Sequence, residues 1–138
     1  MEIGNQAFAN CTSLSGLSIP STVTLIDFAA FSGCTGLTNM TIPSLVTSLG
    51  EYTFDGCTSL SSVTFAATSH VSSIGNYAFN GCSGLTAITI PASVTNLGSN
   101  VFAGCLVVSI RAVVASIPIG WNEFWNPMGR PVQWGFVG

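Results

Sequence analysis

The sequence predicts a mainly β fold, a solenoid of about five stacked 23-residue rungs closed by an irregular C-terminal cap. Three observations carry that expectation. The phrase Ile74-Gly75-Asn76-Tyr77-Ala78-Phe79-Asn80-Gly81-Cys82-Ser83-Gly84-Leu85 returns from Ile3, Ile26, Leu49 and Leu97, each time with Phe three residues before Cys. The cysteines at 11, 34, 57, 82 and 105 are separated by 23, 23, 25 and 23 residues, which is a repeat period. Within each rung apolar and small polar residues alternate, as in Leu17-Ser18-Ile19, which is the two-residue period of a strand with one buried face.

The elements follow in order. Met1-Glu2-Ile3-Gly4 enters the repeat partway through, so the first rung is expected to be incomplete and the natural chain to extend upstream. Leu17 and Ile19 should point inward, and Pro20 should end the strand because it has no N–H for a ladder. Val23 and Ile26 form a second inward pair after a turn, and Ala30 and Phe31 fill the wide part of the interior. Leu37, Met40, Ile42, Val46, Leu49 and Phe54 repeat the pattern, as do Leu60, Val63, Phe65, Val71, Ile74 and Phe79, then Leu85, Ile88, Ile90, Val94, Leu97 and Phe102. Each apolar side chain contributes roughly 1.5–3 kcal/mol when buried, against roughly 1–2 kcal/mol of backbone entropy for every ordered residue. A single rung therefore cannot fold, whereas stacked rungs wall one another in.

Two stretches break the pattern. The 25-residue rung has Ala66-Ala67-Thr68-Ser69-His70 where its neighbour has Pro43-Ser44-Leu45, a two-residue insertion that should bulge outward. After Cys105, Val108-x-Ile110-x-Ala112 reads as a last strand, and the aromatic and proline residues beyond it read as a cap over the final rung. The expected division is a solenoid over residues 1–113 and a capping segment over residues 114–138. Trp121, Trp125 and Trp134 in that segment are expected to be buried. A sugar-stacking platform is the alternative use of the same rings.

Composition excludes several functions. Charged residues make up 5% of the chain and the net charge is −3, so the surface is Ser, Thr, Asn and Gly. Arg111 and Arg130 are its only basic residues besides His70, too few for a phosphate-neutralising stripe, and nucleic acid is not an expected partner. No apolar run approaches the roughly 20 residues that span a bilayer, and the N-terminus lacks the basic-then-apolar plan of a signal peptide. No membrane insertion is expected of this chain.

The inventory for chemistry is equally thin. Cysteines 23 residues apart lack zinc-ligand spacing, and stacked side chains pointing one way bridge poorly, so buried reduced thiols are expected. His70, the only histidine, sits in a small polar loop without an acidic neighbour and should be solvated. Asp27, Glu51 and Asp55 occupy corresponding parts of neighbouring rungs and read as a solvated acidic patch, short of the six to eight oxygens calcium takes. Gly4, Gly50, Gly75 and Gly98 are expected to serve the turn by adopting unusual backbone angles. No catalytic, cofactor-binding or metal-binding residue is predicted, and no enzyme activity.

The repeated phrase Ile-Gly-x-x-Ala-Phe-x-x-Cys-x-x-Leu-x-x-Ile-x-Ile-Pro resembles the BspA-like leucine-rich repeats of bacterial and some protist surface proteins. The resemblance covers residue 3 to about 110. The tail with Gly120-Trp121, Trp125-Asn126, Pro131-Val132 and Trp134-Gly135 is similar to the segment closing many such arrays. Departures are mild: Asp27 stands for Gly, Thr53 and Val101 for Ala, and Ala66 for Pro. The resemblance implies a right-handed leucine-rich-repeat solenoid, secreted or displayed at a cell surface, with adhesion or host-protein interaction as its role.

The function expected is therefore a non-enzymatic binding or display module whose partner is a protein or another cell-surface macromolecule. Ser18, Asn39, Thr41, Ser62, Thr64 and Thr89 lie at outward strand positions and form the candidate partner-binding face, expected to be a continuous sheet without pockets. A structural spacer in a larger surface protein is the alternative.

Overall fold

The structure, a computed structural model, describes residues 1–106, 109–127, 129 and 131–136. Ten strands follow one another: β1 (Glu2–Ile3), β2 (Leu25–Ile26), β3 (Asn39–Ile42), β4 (Ser48–Leu49), β5 (Ser62–Phe65), β6 (Ser73–Ile74), β7 (Ala87–Ile90), β8 (Asn96–Leu97), β9 (Ser109–Ala112) and β10 (Val132–Trp134). No helix occurs among the described residues. The strands build two all-parallel sheets, one in the order β1-β2-β4-β6-β8 and the other in the order β10-β9-β7-β5-β3. Equivalent residues of successive rungs pair, so Asn39, Met40, Thr41 and Ile42 of β3 meet Ser62, Val63, Thr64 and Phe65 of β5.

Leucine or isoleucine ends each inner strand of the first sheet, and alternation places Met40, Val63, Ile88 and Ile110 inside the second. These four are 1%, 6%, 2% and 0% exposed, as period-two burial requires. The interior is columnar. Phe8, Phe31, Phe54, Phe79 and Phe102 stack with ring centroids 5.3, 5.4, 5.4 and 5.7 Å apart and planes within 7° of parallel. Beside them Cys34, Cys57, Cys82 and Cys105 each donate their S–H to the carbonyl of the phenylalanine one rung back, at 3.0–3.1 Å. The recurring Phe-x-x-Cys spacing thus serves two contacts at once. Thr53, at the alanine position, is fully buried and returns its hydroxyl to Gly50 O.

Local sequence expectations change at the first rung and at the glycines. The segment at Leu17 to Ile19 forms no strand, and Leu17 is only half-buried although Ile19 lies inside. The glycines at 50, 75 and 98 do not have positive φ; they lie where an added Cβ would strike the backbone of the preceding rung. Positive φ falls instead at Gly33, Gly56, Gly81 and Gly104 with Asn10 in their place in the first rung, and at the non-glycine residues Gln6, Ala29, Tyr52, Tyr77 and Asn100. The array holds six repeating units, the five that a cysteine marks and one more after them. Trp121 bridges Leu97 in parallel and β10 pairs with β9, so the segment after Cys105 prolongs both sheets without the cysteine that marks the other rungs. Of the predicted last strand, Val108 lies outside the described residues.

Candidate binding face

The outward side of the second sheet carries two rows. Asn39, Ser62, Ala87 and Ser109 form one in paired register, and Thr41, Thr64, Thr89, Arg111 and Gln133 occupy the other. Asn39, Thr41, Ser62 and Thr64 are exposed, Thr89 is half-buried, and Ser18 is exposed beyond β3. Five of the six predicted positions therefore lie on strands of one face. The sixth, Ser18, lies beside that face but in no strand. Arg111 was not among them, yet it continues the threonine row and places its guanidinium 5.1 Å from the Phe136 ring centroid. Only strand pairing in space brings Arg111 beside Thr89. Arg130 lies outside the described residues.

The expectation of a continuous, pocket-free sheet fails at two seams. Residues 16–19 join no strand pair, and between them and β3 lies a cleft of about 450 Å³ lined by Leu17, Ser18, Ile19, Ser21, Asn39, Thr41 and Pro43. Pairing of β5 with β7 stops after Ser62↔Ala87 and Val63↔Ile88, leaving Thr64 and Thr89 unpaired across a second cleft of about 260 Å³. By contrast β3–β5 and β7–β9 keep four paired residues each.

The remaining candidates are accounted for by local bonds. Among the described residues no three His, Cys, Asp or Glu side chains converge as a metal site. Glu51 accepts a hydrogen bond from Asn76 at 3.3 Å, Asp55 accepts one from Asn80 at 2.7 Å, and Asp27 accepts the N–H of Phe28 at 2.7 Å. Exposed His70 is tied to the preceding connection, its backbone N–H donating to Ser44 O at 3.1 Å and its Nδ1 lying 2.9 Å from the same oxygen. All five cysteines are thiols outside any disulfide. Burial, and then the neighbouring Cys34, pushes the Cys57 thiol up to about 12, and burial raises Cys82 and Cys34 as well. An activated thiol would be shifted the other way.

The tryptophans close the array. Trp125 meets Phe102 edge-on at 6.4 Å and Trp121 at 5.1 Å, while Trp121 Nε1 donates to Val94 O at 3.1 Å. Trp121 and Trp125 are 5% and 4% exposed, and Trp134 packs against both. Two of the three rings are thus committed to the core, which removes the platform that sugar stacking would need. Tyr52 and Tyr77 stack at 5.1 Å with Phe28 edge-on to Tyr52, an aromatic row that the repeat phrase does not mark because the residue type there varies between rungs.

The sequence profile of the BspA type leucine rich repeat region matches residues 1–127 in six copies, the number of rungs in the fold. The chain belongs to the BspA type leucine-rich repeat family. Among curated proteins nothing matches this BspA type array. Among solved structures it is similar to a leucine rich cell surface protein from Faecalibacterium prausnitzii, with 41% identity over 80% of this chain and a TM-score of 0.73. The T. pallidum leucine rich repeat protein TpLRR aligns with 98% of the chain at 28% identity and a TM-score of 0.81. The pneumococcal vaccine antigen PcpA aligns with 65% of it at 27% identity and a TM-score of 0.63. The BspA type array spans 29%, 63% and 22% of those chains, respectively. It is a leucine-rich repeat solenoid of the kind that serves protein contacts, and no helix among its described residues is long and apolar enough to cross a membrane.

Proposed function

We propose that this array is a binding and display module of a secreted or cell-surface protein, acting in adhesion or host-protein contact without catalysis. Residues 1–113 are the binding array in this reading and residues 114–138 its cap. The docking surface is the outward side of the second sheet, through Ser18, Asn39, Thr41, Ser62, Thr64 and Thr89. One observation carries the proposal: hydroxyl and amide side chains recur in register on exposed positions of one face, opposite a buried apolar row. The similarity to a leucine rich cell surface protein supports the location.

A face with so little charge gains little from electrostatic steering, so association depends weakly on salt. Several rungs must engage one macromolecule for useful affinity. The test is binding to a panel of immobilised extracellular-matrix proteins and to whole cells, comparing native protein with the combined Thr41→Lys, Thr64→Lys and Thr89→Lys variant. The variant is expected to keep the fold and lose binding. Unchanged affinity would move the site elsewhere, and absence of binding by the native protein throughout would favour a spacer.

A further inference from the structure

The four seams of the second sheet up to β9 are of two kinds, divided by the residue that follows the strand of the later rung. Where that residue has an N–H the ladder closes: Ala66 donates to Ile42 O at 3.0 Å and Val113 donates to Ile90 O at 3.2 Å. Pro43 and Pro91 hold the same place at the first seam and at the β5–β7 seam, and have no N–H to give to Ile19 O or Phe65 O. Those are the two seams that open into clefts. The insertion at residues 66–70 borders only the second cleft, so proline is the feature the two share.

We infer that the two clefts form one docking site for a protein segment in the polyproline II conformation, laid across the strands. The inference rests on the binding-face reading and names the partner's conformation. Three facts favour that occupant. The clefts lie two rungs apart, about 10 Å at the usual strand spacing, and a polyproline II helix returns to the same face every three residues, about 9 Å. Ile19 O and Phe65 O are acceptors deprived of their ladder donor, and a polyproline II segment keeps its backbone N–H groups free whereas an α-helix spends them internally. No charged side chain lines either cleft, and Pro43, Pro91 and half-buried Phe65 supply the apolar walls that such segments use.

The experiment titrates the protein with an uncharged peptide of about nine residues repeating Leu-Pro-Pro, which completes about three polyproline II turns, followed by amide chemical shifts. An alanine-rich helical peptide of equal length is the control. Shifts are expected at Thr41, Thr64, Phe65 and Thr89 with the first peptide and not with the second. Pro91→Val copies the residue that closes the next seam, so it should fold, protect its new amide from hydrogen exchange, and weaken peptide binding about tenfold. No binding by the native protein, equal binding by Pro91→Val with a protected amide, or preference for the helical peptide would each overturn the inference. If Pro91→Val leaves that amide unprotected, proline is not what holds the seam open, and the inference fails on that ground as well. The lysine variant tests the binding face independently, so its loss of macromolecular binding alongside a silent peptide would defeat only the present inference.

Discussion

Cysteine is the residue whose role the structure makes concrete. Each of the four later cysteines fills a fully buried site and spends its S–H on a phenylalanine carbonyl one rung away, whereas Cys11 is half-buried and has no such carbonyl bond. Iodoacetamide at neutral pH should therefore label Cys11 in native protein and spare Cys34, Cys57, Cys82 and Cys105. After unfolding without reductant all five should react, and peptide mass spectrometry reads both states. The raised thiols also fix the sign of an alkaline effect. An unfolded thiol loses its proton near 9.0 while Cys57 holds its own to about 12, so the unfolded state gains from ionisation first. The stability is fully present below about pH 9 and falls as pH rises toward about 12, which urea melts at stepped pH would show.

At the scale of the rung, glycine sets how closely two turns approach. A Cβ on Gly75 would sit 2.5 Å from Glu51 N and 2.7 Å from Gly50 C, backbone atoms that cannot turn aside. Gly75→Ala should cost about 1–3 kcal/mol through overpacking. Gly4→Ala is the matched control because nothing lies within 4 Å of its added Cβ, and its melting temperature should stay close to native. Equal shifts in the two variants would mean that backbone flexibility, not contact, is what the glycine supplies.

For the whole molecule the phenylalanine column is the common spine. Phe54 is fully buried between Phe31 and Phe79, and Phe54→Ala should cost about 3–5 kcal/mol. Because each rung contacts only its neighbours, amide protection should fall in the rungs of Phe31 and Phe79 before it falls at Trp121 and Trp125. A melting temperature no lower than that of Thr41→Ala would remove Phe54 from the core. The column ends where Trp125 turns edge-on to Phe102, so the sixth rung seals the array with indole rings instead of continuing the stack.

What the sequence determined by itself is the rung. Period 23 between copies and period two within them fixed the parallel pairing, the inward faces at Met40, Val63 and Ile88, the phenylalanine column and the outward positions of Asn39, Thr41, Ser62 and Thr64. Those features are local and repeated, so each copy restates them. Tertiary structure alone decided the contacts between copies. It showed that Gly75 is needed for the rung behind it, that Trp121 and β10 extend the sheets although the repeat phrase has vanished, and that Arg111 joins the threonine row. It also showed that the two clefts open where Pro43 and Pro91 follow their strands, a coincidence invisible in one copy because a missing N–H matters only through the carbonyl that a neighbouring rung presents to it.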